Sequence, residues 1–224
     1  ASNLTGNLTL RSGGNVTLAN NVITTGGDIT LAGTNFVNNA GSGALSASGR
    51  WLVYANNHTA NTFGGLDSAN QAVWGTAALA AVGASGNRYV FANSPTVTVT
   101  STNQSKTYGQ DGAPIVATAF NATGFINAAT FGNVFTQDTV ANSLTGSATS
   151  TGSSVTANVG SYVIDVTPIT ASNGYTLSKS NAGTLTVNKA IINLAGTRTY
   201  DGTAAFNASV FGTFSTGING ENLN

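Results

Sequence analysis

The chain contains no cysteine, no methionine, three prolines and a single histidine, His58. Without cysteine there is no disulfide framework, no thiol chemistry and no Fe–S ligand set. One histidine rules out a multi-histidine metal site. Charge is scarce as well. Seven Lys and Arg balance seven Asp and Glu, and charged residues make up 6% of the chain, against roughly 25% in ordinary soluble proteins. A neutral chain has neither the clustered cations that nucleic acid requires nor a basic face for an anionic membrane. No nucleic-acid partner is therefore expected. The longest apolar run, residues 77–82, falls far short of the ~20 residues of a membrane-spanning helix. Glu and Lys are too few for a coiled coil, and Val, Ile, Leu and Phe are too plentiful for disorder.

Glycine is abundant, 28 of 224 residues, alongside much Asn, Thr, Ser and Ala. The glycines are patterned. Gly6-Asn7-Leu8-Thr9-Leu10 recurs as Gly14-Asn15-Val16-Thr17-Leu18 and as Gly27-Asp28-Ile29-Thr30-Leu31. Each copy alternates apolar and polar, which is the period of a strand with one buried side. Strands this short become stable when stacked coils align equivalent positions in a shared apolar column. The spacing between the first and third copies suits one coil of a right-handed parallel β-helix, with Gly and Asn at the corners. Leu8, Leu10, Val16, Leu18, Ile29 and Leu31 are predicted to be buried, with Thr9, Thr17 and Thr30 facing outward.

Residues 1–48 are thus expected to be the last β-helix coils. Residues 49–94 break the pattern, with aromatic strands at Gly49-Arg50-Trp51-Leu52-Val53-Tyr54 and Gly86-Asn87-Arg88-Tyr89-Val90-Phe91. A stack of strands ends in an open edge that something must cover, so this segment reads as a cap. From Pro95 onward the strands lengthen: Thr96-Val97-Thr98-Val99-Thr100, Gly160-Ser161-Tyr162-Val163-Ile164-Asp165-Val166 and Gly183-Thr184-Leu185-Thr186-Val187-Asn188. Lys106-Thr107-Tyr108-Gly109-Gln110 is echoed by Arg198-Thr199-Tyr200-Asp201-Gly202. This predicts a mainly antiparallel all-β module over 95–189, a sandwich or a β-grasp-like fold, followed by a truncated second module over 190–224. Tyr162, Ile164, Val166, Leu185 and Val187 are expected to share a core with Val97 and Val99.

Taken in order, these motifs resemble the C-terminal part of filamentous-haemagglutinin-like exoproteins of two-partner secretion. The coil motif resembles the passenger β-helix of that family. Lys106-Thr107-Tyr108-Gly109 through Leu185-Thr186-Val187-Asn188-Lys189-Ala190 resembles an MBG domain of the YGX type, and Thr199-Tyr200-Asp201-Gly202-Thr203 the opening of a YDG domain. The resemblance implies an adhesin on the surface of a Gram-negative bacterium. It would be exported through an outer-membrane transporter and act in cell-surface or biofilm-matrix attachment, with self-association into fibres. The chain is then expected to be an internal piece of a longer exoprotein.

No residue set points to catalysis, and no cofactor or metal is expected. Asp28, Asp67, Asp111, Asp138, Asp165, Asp201 and Glu221 are scattered along the chain, whereas a glycosidase needs a paired acid and nucleophile. His58 reads as a solvated loop residue. Gly26-Gly27-Asp28 and Asp201-Gly202 read as turns. Asn-x-Ser/Thr sequons at Asn3, Asn7, Asn15, Asn57, Asn103, Asn121 and Asn207 offer positions for glycosylation. The alternative function is a carbohydrate-binding module for a polysaccharide or host-surface glycan. Such a module would stack sugar rings on exposed aromatics. Trp51, Tyr54, Trp74 and Tyr89 are the candidates, with Trp74 and Tyr89 carried forward and Trp74 expected to be partly exposed.

Overall fold

A computed structural model describes residues 2–192, 196–204, 214–218 and 220–223. Strands dominate it, and helical segments are short: Ala113–Ala117 (α1), Val140–Ser143 (α2) and 3-10 turns at Ala128–Phe131 and Thr151–Ser153. The chain is all-β. It divides into two compact units, neither of which is contiguous in sequence. The first comprises Ala1–Thr98, Ala122–Thr145 and Thr170–Ser178, and the second Val99–Asn121, Gly146–Ile169 and Lys179–Asn224. These units cut across the sequence blocks 1–48, 49–94, 95–189 and 190–224, because two segments from within 95–189 join the first unit.

In the first unit, nine short strands follow one another: Ser2–Leu4 (β1), Leu8–Arg11 (β2), Val16–Leu18 (β3), Val22–Thr24 (β4), Ile29–Ala32 (β5), Phe36–Asn38 (β6), Leu45–Ala47 (β7), Trp51–Ala55 (β8) and Arg88–Phe91 (β9). They form three sheets of order β1-β4-β7, β2-β5-β8-β9 and β3-β6, in which the paired strands run parallel. Leu8 lies against Ile29 and Leu10 against Leu31. Ile29 then lies against Trp51 and Leu31 against Val53. The first and third copies of the glycine motif are therefore neighbours in one sheet, whereas the second copy, β3, pairs with β6 in another.

Burial follows the alternation in Val16, Leu18, Ile29 and Leu31, all of which are buried. Thr9 and Thr17 are exposed and Thr30 half-buried. Leu8 and Leu10 depart from the expectation, since Leu8 is only half-buried and Leu10 is 46% exposed. The reason is position in the sheet. Strand β2 is an edge with one neighbour, β5, so its apolar side chains are covered from one direction only. Leu10→Ser is expected to cost less than about 1 kcal/mol in urea denaturation, because a half-exposed side chain has little burial left to lose.

Side-chain amides and carboxylates reach across to backbone amides at the start of neighbouring strands. Asn7 Oδ1 accepts from the Asp28 amide at 2.8 Å, and Asp28 Oδ1 accepts from the Arg50 amide at 2.8 Å. Asn87 Oδ1 does the same for the Trp51 amide at 2.8 Å, and Asn61 Oδ1 for the Phe36 amide at 2.7 Å. The Gly-Asn and Gly-Asp pairs of the motif thereby acquire a physical role. The polar side chain satisfies a backbone N–H at the point where a strand begins.

Later strands are Thr96–Ser101 (β10), Gln104–Thr107 (β11), Phe120–Thr123 (β12), Leu144–Thr145 (β13), Gly160–Val163 (β14), Thr170–Ala171 (β15), Thr176–Ser180 (β16), Thr184–Asn188 (β17), Phe214–Ser215 (β18) and Asn222–Leu223 (β19). In the second unit β17 is central to the order β11-β17-β14. It pairs with β14 antiparallel but with β11 parallel, which modifies the expectation of a mainly antiparallel module. Val99, Val116, Ile164, Val166, Ile169, Leu185 and Val187 are buried. Tyr162 is not fully buried; its ring lies over Gly152, where an added Cβ would sit 2.5 Å from Cδ2. Val97 is buried too, but belongs to the first unit.

Candidate functional site

Between β8 and β9 the chain makes a long excursion over residues 56–87. Val73 bridges to Val90 in parallel, fixing the neighbouring Trp74 beside β9. The Trp74 amide donates to the Asn173 carbonyl at 2.9 Å, and that of Gly75 to the Asn93 carbonyl at 2.9 Å. The Trp74 ring stacks on Phe91 at 5.1 Å and meets Phe135 edge-on at 6.2 Å and Tyr175 at 5.5 Å. Tyr89 packs between Trp51 at 5.1 Å and Phe63 at 4.8 Å, and its hydroxyl donates to the Leu66 carbonyl at 2.6 Å. Burial holds that phenol well above its ordinary pKa.

This packing corrects the expectation for the aromatic candidates. Trp74 is 1% exposed and Tyr89 0%, so neither presents a ring face to a sugar. Trp51 and Tyr54 are buried as well, the Tyr54 hydroxyl donating to the Ala80 carbonyl at 2.7 Å. Much of the cover over Trp74 comes from Phe135 and Tyr175, which lie in the two segments that join this unit from far along the chain.

At the centre lies a carboxylate the sequence did not single out. Asp138 is 2% exposed, and no cation is bonded to it among the described residues. Its Oδ1 accepts from Gln71 Nε2 at 2.7 Å, Asn173 Nδ2 at 2.9 Å and Ser143 Oγ at 3.3 Å. Its Oδ2 accepts from Tyr175 Oη at 2.8 Å and Trp74 Nε1 at 3.1 Å. Tyr175 Oη also accepts from the Ile126 amide at 3.0 Å, and burial raises its phenol pKa far above the usual value. A carboxylate with this many donors is satisfied in place. Its chemical effect is to fix the orientation of Gln71, Trp74 and Asn173.

Those three residues also line a cavity of about 430 Å³, together with Val73, Val82 and Arg88 among others. Arg88 Nε donates to the Ser85 carbonyl at 2.9 Å and Nη1 to the Gln71 carbonyl at 2.8 Å. Desolvation lowers its pKa, and the nearby Arg50 charge adds to the effect.

His58 is not a freely solvated loop residue. It lies edge-on to Trp74 at 5.5 Å and Phe131 at 5.6 Å, and Asn93 Nδ2 is 3.2 Å from its Nδ1, donating when that nitrogen carries no proton. Partial burial lowers its pKa. A folded-state pKa below the ordinary ~6.5 means that the folded chain binds fewer protons than the unfolded one in acid. Stability is then full above pH ~6.5 and declines as pH falls through that value toward the folded pKa. Urea denaturation at pH 7.5 and pH 5 is expected to show this loss in the native chain. His58→Gln should flatten the part of the profile between them, and an unchanged profile would contradict the assignment.

The other acidic residues form no site. Asp67 and Asp111 each accept from the amide two residues on, at 2.8 and 2.9 Å. Asp165 is held below the usual carboxylate range by the Thr167 amide and hydroxyl. Asp201 pairs with Arg198 at 2.5 Å, and Glu221 accepts from the Tyr108 hydroxyl. Among the described residues, no group of three or more His, Cys, Asp or Glu could hold a metal ion. In the second unit Lys106, 3% exposed, donates through Nζ to the carbonyls of Gln110 at 3.0 Å, Ser153 at 3.2 Å and Ser154. Its alternating position in β11 gives no sign of this. No family model, curated protein or solved structure matches the chain.

Proposed function

We propose that this chain is a structural and adhesive stalk segment of a secreted bacterial surface fibre, of the filamentous-haemagglutinin-like kind that the motifs resemble. In this reading residues 1–48 are the last coils of a right-handed parallel β-helix. Residues 49–94 are its aromatic cap, 95–189 an MBG-like sandwich or β-grasp-like module, and 190–224 the beginning of a YDG-like module. The observation that carries the reading is the register of β2, β5 and β8. Leu8, Ile29 and Trp51 stand in one parallel column, with Asn7 and Asp28 bonding from coil to coil. Such a stack propagates by nearest-neighbour contact and can fold progressively as a chain emerges from an outer-membrane transporter. The absence of cysteine is compatible with export of an unfolded chain. The protein would act at the outside of a Gram-negative cell, in attachment to a surface or biofilm matrix.

The test is mechanical. Beads carrying the 224-residue chain should be retained on films of matrix polysaccharide under shear, in excess of beads carrying albumin. Equal retention would overturn the adhesive part of the reading.

A further inference from the structure

We infer that the cavity beside Trp74 is a binding site for a carboxylate-bearing sugar unit, held by the Arg88 guanidinium and by polar groups that Asp138 sets in place. Four observations meet there. First, the cavity, about 430 Å³, falls within the range of small-molecule sites, roughly 300–1,000 Å³, and has room for a sugar ring. Second, its cation is uncompensated. Arg88 bonds only to the carbonyls of Ser85 and Gln71, and the nearby Arg50 to those of Ala84 and Val82. Neither arginine forms an ion pair with a carboxylate among the described residues. A partly desolvated guanidinium with a second positive charge close by favours an incoming anion, and a guanidinium fork matches a carboxylate.

Third, Asn173 carries a buried Oδ1 that has no hydrogen-bond partner. Its Nδ2 is committed to Asp138 at 2.9 Å, so the amide cannot turn over without breaking that bond. A buried acceptor without a donor is costly, and because this oxygen is closed to solvent, it takes a ligand hydroxyl only when the wall around Asn173 shifts on binding. Fourth, the remaining lining is of the kind a sugar ring meets. Thr76 is a hydroxyl wall whose own proton goes to the Trp74 carbonyl at 3.2 Å, leaving its oxygen to accept. Val73 and Val82 offer apolar surface to C–H groups. Ring stacking plays no part, since Trp74 is closed off by Phe91 and Tyr175. The combination of one cation, one fixed acceptor and hydroxyls selects a hydroxylated carboxylate over a neutral sugar or a bare anion.

The site is independent of the stalk reading, so bead retention and binding to this cavity can fail separately. Binding to the 224-residue chain is measured by calorimetry and by the shift of the Trp74 indole N–H resonance, with glucuronate, glucose and acetate as probes. Glucuronate is expected to bind saturably, and glucose and acetate each at least about tenfold more weakly. Arg88→Gln should weaken glucuronate about tenfold or more. Because Arg88 also ties two carbonyls, Ala84→Glu serves as a second variant. Ala84 is exposed at the cavity wall, and a carboxylate there should abolish glucuronate binding while the melting temperature stays unchanged. Equal affinity for glucose and glucuronate, equal affinity for acetate, no saturation with glucuronate, or native affinity in the folded Ala84→Glu variant would each overturn the proposal.

Discussion

Asp138→Ala is expected to destabilise the chain by about 4 kcal/mol in urea denaturation, since it strands several buried donors at once. Gln71 Nε2, Asn173 Nδ2, Trp74 Nε1 and Tyr175 Oη each lose an acceptor, in a region closed by aromatic rings. Asp138→Asn separates the two carboxylate oxygens. An amide NH2 at the Oδ1 position would face two NH2 donors, from Gln71 and Asn173. At the Oδ2 position it would face one fixed donor, Trp74 Nε1, and one hydroxyl, Tyr175, that can turn to accept. The asparagine should therefore adopt the second orientation and cost about 3 kcal/mol, because the Trp74 N–H is left unsatisfied and the Tyr175 proton, turned away from residue 138, loses its acceptor. The Trp74 indole N–H resonance should move strongly in this variant, while the Gln71 and Asn173 side-chain amides stay close to their native positions. A loss under about 1 kcal/mol for Asp138→Ala would show that the carboxylate is not what these donors depend on.

The contrast between Asp138 and the coil motif shows what kinds of information a sequence carries. Strand periodicity is local. The alternation in Val16-Thr17-Leu18 and Ile29-Thr30-Leu31 marks a buried side because each residue's direction follows from its immediate neighbours. The distance from Gly6 to Gly27 likewise foreshadows the register of Leu8 on Ile29, since the two copies pair in parallel in one sheet. Failure begins where the neighbour is absent, as at Leu10 on the edge strand β2. The candidate site is a different matter. Gln71, Asp138 and Asn173 come from three stretches of chain with no shared pattern, and Thr136-Gln137-Asp138-Thr139 reads as ordinary polar loop. Trp74 was expected to be partly exposed for the same reason. Its own flanks look open, and its cover comes from Phe135 and Tyr175, far along the sequence. The two units show the same limit at larger scale. The repeat of Lys106-Thr107-Tyr108-Gly109 near residue 200 is visible as text. That 122–145 and 170–178 pack with the first unit depends on aromatic contacts that no local period announces.

Gly27 of the repeated motif and Gly49, just before β8, should differ in how their substitution can be relieved, although both sit where a polar side chain from a neighbouring strand passes. An alanine Cβ at Gly27 would lie 2.2 Å from Asn7 Oδ1, 2.7 Å from the Asn7 amide nitrogen and 2.7 Å from the Gly6 carbonyl carbon. One at Gly49 would lie 2.0 Å from Asp28 Oδ1, but 3.4 Å from the Gly27 carbonyl oxygen. At Gly27 the obstruction is therefore largely backbone, whereas at Gly49 it is one movable carboxylate. Gly27→Ala is expected to cost about 3 kcal/mol, at the upper end for overpacking, because two neighbouring backbone segments must be pushed apart. Gly49→Ala should cost about 2 kcal/mol, chiefly by displacing Asp28 from the Arg50 amide that it caps at 2.8 Å. Asp28→Ala loses that same hydrogen bond, so Gly49→Ala added to it should cost little more. The double mutant should fall short of the sum of the singles by about 1 kcal/mol or more. Asn7→Ala removes only the side-chain part of the clash at Gly27, and the pair Gly27→Ala with Asn7→Ala should remain close to additive. Chemical denaturation of the four single and two double variants decides between the cases. Equal rescue in both pairs would mean that the two backbone segments separate freely at Gly27, contrary to the close approach from which the difference follows.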